Sequence, residues 1–178
     1  KARYVGDPLN AIRIFNEKEV DELIFLDIDA SKKNKDPNYE LIGQIASECF
    51  MPVAYGGGLK SIESIRKILN LGIEKVILNT QFLKNPKFIS DAVNFFGSST
   101  IVLSIDIKKN IFGKYQIFSH CNNKYFRGDI LSYVSQVDQL GVGELFLNDV
   151  DRDGMKSGYN AELISRIVTS LSIPVIAC

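Results

Sequence analysis

One segment of the chain occurs twice at a fixed spacing, and this repeat restricts the possible folds more than any other feature. Residues 20–29 (VDELIFLDID) align with residues 142–151 (VGELFLNDVD), an offset of 122 residues. The same offset carries Pro52-Val53 onto Pro174-Val175. A constant offset over two strand-like segments and the stretch between them predicts two similar halves of about that length.

Short apolar runs alternate with helical patterns along the chain, which is typical of a parallel α/β fold. The predicted helices cover residues 8–15, 37–50, 62–71, 86–96, 129–140 and 161–171. The predicted strands cover residues 23–26, 52–55, 76–78, 101–105, 145–147 and 173–178. Residues 107–128 interrupt the alternation. We interpret them as an inserted hairpin in which residues 111–112 and 115–118 flank Gly113-Lys114.

The repeat and the alternation together predict the α/β fold of a (β/α)8 TIM barrel with two-fold internal symmetry, which typically needs about 250 residues. The chain begins at Lys1 without a methionine and ends inside an apolar run at Cys178. We therefore expect residues 1–178 to be one incomplete barrel domain that lacks its first strand and its C-terminal strand and helix units. An open doubly wound sheet is the alternative, but no Gly-x-Gly-x-x-Gly supports it.

Composition excludes several classes of function. Lys plus Arg and Asp plus Glu each number 21, so a zero net charge argues against a nucleic-acid partner. No apolar run approaches the roughly 20 residues that span a membrane. Three widely spaced cysteines indicate reduced thiols in a cytoplasmic protein. A single histidine, His120, excludes a histidine-rich metal site, so acid–base chemistry must rely on carboxylates.

Glycines and polar residues follow the predicted strands. Gly56-Gly57-Gly58 exposes backbone N–H groups before a helix that Ser61 caps, which indicates a phosphate cradle, although a tight turn is the alternative. Asn79-Thr80 could complete the same cradle. Gly154, with Gly158, suits a second anion-binding turn.

Aspartates at the strand ends are the candidates for acid–base work. Asp106 follows a wholly apolar strand, and partial desolvation there suits a general acid or base. The alternative is a structural carboxylate held by Lys108 or Lys109. Asp27 and Asp29 have equally open roles, as site residues or as caps and lysine partners. We interpret His120 and Cys121, in the inserted hairpin, as structural or incidental.

Five motifs together resemble the cyclase subunit of imidazole glycerol phosphate synthase. They are Phe25-Leu26-Asp27-Ile28-Asp29-Ala30-Ser31, Gly56-Gly57-Gly58, Leu78-Asn79-Thr80, Ser104-Ile105-Asp106 and the stretch from Asp151 to Tyr159. The resemblance implies a two-fold (β/α)8 barrel that needs no cofactor or metal. It also implies a glutaminase partner at the N-terminal face, whose ammonia crosses the barrel. At the opposite face the subunit would convert a bis-phosphate formimino-aminoimidazole-carboxamide ribonucleotide into imidazole glycerol phosphate and aminoimidazole carboxamide ribonucleotide.

The resemblance also implies roles for particular residues. Asp106 matches one of two catalytic aspartates, and the other belongs to the first strand of the family's barrel. The residues that match one phosphate site are Gly57, Gly58, Asn79 and Thr80; Asp153 and Gly154 lie by the second. The residues that match an ammonia gate are Glu22, Lys75 and Glu144, although a surface ion network is the alternative.

The chain departs from the family pattern near the predicted active site. Asn148 and Met155 stand where the family usually has threonine, and Cys178 stands where it usually has serine. Tyr55 is bulkier than the usual residue, and residues 122–127 do not match the family's substrate loop. Such changes suit a paralogue that delivers ammonia for amidation of a cell-surface sugar, which stays an alternative.

The related sugar-phosphate isomerase of histidine synthesis is a third possibility. It shares the barrel and two aspartates, but it needs no ammonia. The gate residues, together with Lys156 and Tyr159, therefore disfavour it.

Overall fold

The computed structural model describes residues 6–178, which form two compact units. The first unit extends to Val76 and the second covers Ile77–Cys178. The predicted domain organisation, a single barrel domain with an insertion at residues 107–128, stays a prediction.

The first unit contains four helices and two complete strands within its described residues. In chain order they are α1 (Pro8–Glu17), β1 (Leu23–Leu26), α2 (Ile28–Lys32), α3 (Tyr39–Glu48), β2 (Val53–Gly56) and α4 (Ile62–Asn70). Strand β3 (Lys75–Leu78) begins at the end of this unit. Strands β1 and β2 pair in parallel, from Leu23 opposite Val53 to Leu26 opposite Gly56. All of β2 is buried, as are Ile45 of α3 and Ile65 of α4.

Local side chains fix where these helices begin. Asn38 accepts the N–H of Leu41, so α3 begins at Tyr39, two residues later than predicted. Ser61 and Ser64 form a reciprocal capping box at the start of α4, as the sequence predicts for Ser61. The sequence pattern did not predict α2, whose cap is Asp27.

The second unit holds the rest of the chain. In order its elements are α5 (Thr80–Lys84), α6 (Pro86–Phe96), a 3₁₀ turn (Ser98–Thr100), β4 (Ile101–Lys109), β5 (Tyr115–Ser119), β6 (Lys124–Phe126), α7 (Ile130–Leu140), β7 (Glu144–Asp149), α8 (Ala161–Val168) and β8 (Val175–Ala177). Strand β7 pairs in parallel with both β4 and β8. The first seven of the nine residues in β4 are buried, so this strand lies at the centre of the unit's core.

The predicted end of β4 and the predicted hairpin need correction. The strand does not stop before Asp106 but continues to Lys109, where its last three residues pair antiparallel with β5. Burial of Ile107 against Ile117 favours this continuation. Strand β5 then pairs with β6, while Ile111 and Phe112 lie in the turn, 93% and 80% exposed, and form no strand.

The same hydrogen bonds recur in both units at the offset found in the sequence. The N–H of Leu23 donates to the carbonyl of Pro52, and the N–H of Leu145 donates to that of Pro174, both at 2.9 Å. Asp27 Oδ1 accepts the N–H of Asp29 at 3.1 Å. The corresponding Oδ1 of Asp149 accepts the N–H of Asp151 at 3.2 Å. The internal repeat is therefore present in the backbone geometry as well as in the residues.

The capping box makes a stability prediction. Ser61→Ala should lower the free energy of unfolding by about 1 kcal/mol, because the N–H of Ser64 in the first turn of α4 loses its acceptor. Urea unfolding of the full-length protein, followed by circular dichroism, measures the change. Ser165→Ala is the matched control, since Ser165 is exposed within α8. Equal losses from the two variants would contradict the capping role.

Candidate functional site

Asp106 is the centre of a polar cluster in the second unit. It belongs to β4 and stands opposite Asn148 of β7 in register, and the residue is 8% exposed. Asn148 Nδ2 donates to Asp106 Oδ1 at 2.9 Å, and Asn79 Nδ2 donates to Oδ2 at 2.9 Å. Each carboxylate oxygen thus has an amide donor, which compensates for part of the hydration that burial removes.

Neighbouring polar groups extend this cluster. Asn79 Nδ2 also donates to Ser104 Oγ at 3.2 Å, so its amide nitrogen serves the carboxylate and the hydroxyl together. The side chain of Thr80 lies 3.2 Å from Cys121, Oγ1 to Sγ. The phosphate-binding role of Asn79 and Thr80 stays a prediction. The backbone N–H of Asn79 would be the group that contacts the phosphate, because the side-chain amide nitrogen already donates twice.

His120 lies next to the cluster, which the sequence pattern did not reveal. Its Nε2 is 3.9 Å from Asp106 Oδ2, and its side chain is 40% exposed. The ring packs edge-on against the buried Phe118, with centroids 5.0 Å apart. The turn between β5 and β6 carries both His120 and Cys121 to this position. A signal was present in the sequence, since the chain's one histidine follows a strand-like run at a predicted loop.

A second polar group follows β7. Asp149 is 6% exposed, accepts the hydroxyl of Tyr115 at 2.8 Å, and lies 3.6 Å from Arg152 Nε. Arg152 Nη1 also donates to the carbonyl of Gly158, and the backbone N–H of Lys109 donates to Asp151 Oδ2. These contacts fix the loop that begins with Asp151.

The loop borders a shallow cleft. Its lining includes Asp149, Arg152, Tyr159 and Cys178. Asp153 Oδ1 lies 4.0 Å from Cys178 Sγ, and burial, with Asp153 as a second cause, raises the pKa of that thiol. Gly154 has φ +69°, and no atom lies within 4 Å of the point where a Cβ would stand, so the space beside its backbone is open. The phosphate role of Asp153 and Gly154 stays a prediction.

The glycine loop of the first unit is tightly enclosed. Gly57 has φ +145°, and a Cβ there would lie 2.7 Å from the carbonyl oxygen of Asp27. Gly58 has φ +65°, and a Cβ there would lie 2.8 Å from the carbonyl oxygen of Lys35. The N–H of Gly58 donates to Ser31 Oγ at 3.3 Å. A phosphate role for Gly57 and Gly58 stays a prediction.

The carboxylates after β1 have structural contacts. Asp27 Oδ1 accepts the N–H groups of Asp29 and Ala30 and so caps α2. Asp29 pairs with Lys33 at 2.6 Å, and this hydrogen bond is the main reason that the pKa of Asp29 is lowered. Tyr55 is fully buried and stacks on Phe25, and burial raises its pKa.

The predicted gate residues lie at the N-terminal ends of strands. Glu22 precedes β1 and pairs with Lys75, the first residue of β3, at 2.8 Å. Both side chains are about three-quarters buried, with exposures of 28% and 21%. Glu144 is the first residue of β7 in the second unit. Their role as an ammonia gate stays a prediction.

Metal binding and membrane insertion are two other properties that side chains and helices can indicate. Within residues 6–178, no group of three or more His, Cys, Asp or Glu side chains is arranged to hold a metal ion. In the same part of the chain, no helix is both long and apolar enough to cross a membrane.

The fold and the site define a parallel β/α protein with a buried aspartate on strand β4 that two side-chain amides hold. The family described as "Histidine biosynthesis protein" matches residues 1–178. The chain therefore belongs to this family. Its members are TIM barrels, which confirms the predicted fold class and the resemblance to the cyclase subunit.

Three relatives support the same assignment. The first is "Putative imidazole glycerol phosphate synthase subunit hisF2" of Pseudomonas aeruginosa, 49% identical over 176 residues, which are 99% of this chain and 70% of the relative. The second is "Putative imidazole glycerol phosphate synthase subunit HisF" of Leptospira borgpetersenii. It is 47% identical over a stretch that covers 97% of this chain and 68% of the relative. Subunit hisF3 of Vibrio vulnificus is 44% identical over 98% of this chain and 68% of its own.

The enclosed glycine loop makes a second prediction. Gly57→Ala should destabilise the protein by roughly 1–3 kcal/mol more than Gly113→Ala. The new Cβ would meet backbone atoms at Gly57 but open space at Gly113. Gly113 is the matched control, since its φ is also positive (+75°) and the space around it is open. Thermal or urea unfolding of the two full-length variants gives the comparison. Equal losses of stability in the two variants would show that the backbone around Asp27 moves to accept the new Cβ at little cost.

Proposed function

We propose that this protein is the cyclase subunit of an imidazole glycerol phosphate synthase. It would use ammonia from a glutaminase partner to convert the bis-phosphate ribonucleotide into imidazole glycerol phosphate and aminoimidazole carboxamide ribonucleotide. The observation that carries the proposal is the carboxylate of Asp106, buried beside β7 and fixed by the amides of Asn79 and Asn148.

The chemistry asks for a group that both accepts and returns protons. Ammonia loses protons as it becomes part of the new imidazole ring. The amino nitrogen of the departing aminoimidazole carboxamide ribonucleotide gains one. Asp106 is suited to this exchange, because its carboxylate can still accept a proton after both amides have donated to it. Its burial also keeps most water away from it. The two amides also fix its orientation, so proton transfer needs little rearrangement of the site.

Backbone groups are the proposed phosphate contacts. Gly57 in the first unit and Gly154 in the second combine positive φ with positions after strands, a geometry that presents N–H groups to anions. Gly58 has the same kind of position, and its N–H would turn to the phosphate on leaving Ser31 Oγ. Asp153 would order the second loop and not meet the phosphate directly, since two negative groups repel each other. Thr80 would add a hydroxyl donor if its contact with Cys121 opens.

The proposed partner is a glutaminase, because the relatives are named as subunits of a synthase. Glu22 and Lys75 form an ion pair at the N-terminal ends of their strands, where a charged group can block or admit a small neutral molecule. Glu144 has the corresponding place on β7, since the sequence repeat superimposes it on Glu22. These three residues are the proposed ammonia gate.

A second candidate function is a paralogue that delivers ammonia to another acceptor, such as a sugar. Three observations favour it. Asn148 binds Asp106 where the family usually has a threonine, and Met155, 68% exposed, removes another hydroxyl. Two of the three relatives also carry the numerals 2 and 3, as additional copies of a subunit would.

An activity assay distinguishes the two functions. The full-length protein, given excess ammonium salt and the bis-phosphate ribonucleotide, should form imidazole glycerol phosphate. Asp106→Asn should reduce kcat by about 100-fold or more, because the proton acceptor is lost while the shape is kept. Binding of the ribonucleotide, measured by calorimetry, should change little. A folded wild-type protein that binds its glutaminase but gives no product would favour the delivery paralogue.

The gate makes a separate prediction for the complex with the glutaminase. Glu22→Gln should raise the ratio of glutamine hydrolysed to product formed above one, because the ion pair with Lys75 is lost and ammonia escapes. The control is Asp21→Asn, a neighbouring exposed carboxylate with the same chemical change. If Glu22→Gln leaves the ratio of glutamine hydrolysed to product formed unchanged, the ion pair between Glu22 and Lys75 only stabilises the fold.

A further inference from the structure

We propose that His120 relays protons between Asp106 and solvent, a role that rests on the proposed function. Asp106 alone is poorly placed to exchange protons with water. It is 8% exposed, and the amides of Asn79 and Asn148 occupy one lone pair on each oxygen. A carboxyl group that gains a proton from substrate therefore needs a route by which to lose it.

His120 is a titratable side chain next to the cluster. Its Nε2 lies 3.9 Å from Asp106 Oδ2, while 40% of the side chain is exposed to solvent. The ring thus faces the buried carboxylate on one side and water on the other. A neutral imidazole accepts a proton at one ring nitrogen and carries one on the other, so its chemistry matches the task.

Aromatic packing holds the ring of His120 near the carboxylate. Phe118 is 3% exposed, and its ring meets the imidazole edge-on at 5.0 Å. Lys108 Nζ lies 4.8 Å from the centre of the same phenyl ring, and Tyr125 packs against it at 5.2 Å. A movement of about 1 Å brings Nε2 to hydrogen-bond length from Oδ2. Oδ2 retains a second lone pair for that bond.

The relay balances in protons and charge. Asp106, having taken a proton from substrate, passes it to the lone pair of Nε2, which restores the carboxylate and forms an imidazolium. The imidazolium then gives one of its two N–H protons to a buffer base in solvent. If Nδ1 is the donor, proton exchange with water moves the remaining proton from Nε2 to Nδ1, which restores the neutral ring that accepts at Nε2. Run in reverse, the same two transfers supply a proton to Asp106 when the leaving nitrogen needs one.

The test uses the full-length protein with saturating ammonium salt and the bis-phosphate ribonucleotide. His120→Ala should lower kcat roughly tenfold while KM stays within about twofold, because the relay acts on proton transfer and not on binding. Added imidazole should restore kcat in a saturable manner by carrying the proton itself. Tetramethylammonium chloride at equal ionic strength should restore nothing. A purely structural role would not respond to imidazole.

Two further variants keep the test decisive. H120Q preserves a polar side chain of similar length, so it should fold normally and still lose kcat. Lys108→Met, which keeps the contact with Phe118 but lies outside the relay, should retain wild-type kcat and show no imidazole response.

Each result then has one meaning. An active wild-type protein with undiminished His120 variants, or a loss that imidazole does not restore, overturns the relay alone. A loss of kcat in Lys108→Met equal to that in His120→Ala also overturns it, since disturbed packing around Phe118 would then explain both. A wild-type protein without turnover overturns the proposed function, and the relay falls with it.

Discussion

The burial of one carboxylate beside two paired strands is the constraint on which the second unit's site depends. Asp106 is tolerated there because Asn79 and Asn148 each supply an amide donor at 2.9 Å. Leaving a buried charged group without donors costs several kcal/mol, so these contacts and the strand register that creates them belong together. The parallel pairing of β4 with β7, which sets Asp106 opposite Asn148, therefore supports both the core and the polar cluster around Asp106.

The internal repeat shows how similar backbone arrangements acquire different surroundings. Asp27 and Asp149 each follow or end a strand and accept an N–H from two residues later. Asp27 caps a short helix and lies against the backbone of Gly57. Asp149 instead accepts a hydrogen bond from the hydroxyl of Tyr115 and lies near Arg152. Strand β5 supplies Tyr115, so the partner strand at this position is what makes the surroundings of Asp149 differ from those of Asp27.

Local signals predicted much of the fold. Ser61 caps α4 as the sequence predicts, and the helices predicted to end at residues 96 and 140 do end there, each before a glycine. The end of β4 was predicted too early, because its last residues are held by a partner strand that the apolar pattern does not reveal. The surroundings of His120 escaped prediction for a similar reason, since the turn between β5 and β6 decides its neighbours.

The sequence alone determined the alternation of strands and helices, the two-fold repeat, and Asp106 as the candidate acid–base group. Periodicity, capping and glycine placement act locally or repeat regularly, so they can be seen without coordinates. Only the tertiary structure decided which side chains surround that carboxylate. Asn79 and Asn148 lie 27 and 42 residues away from it along the chain. Such contacts arise from strand pairing and loop closure over long separations, and no local pattern encodes them.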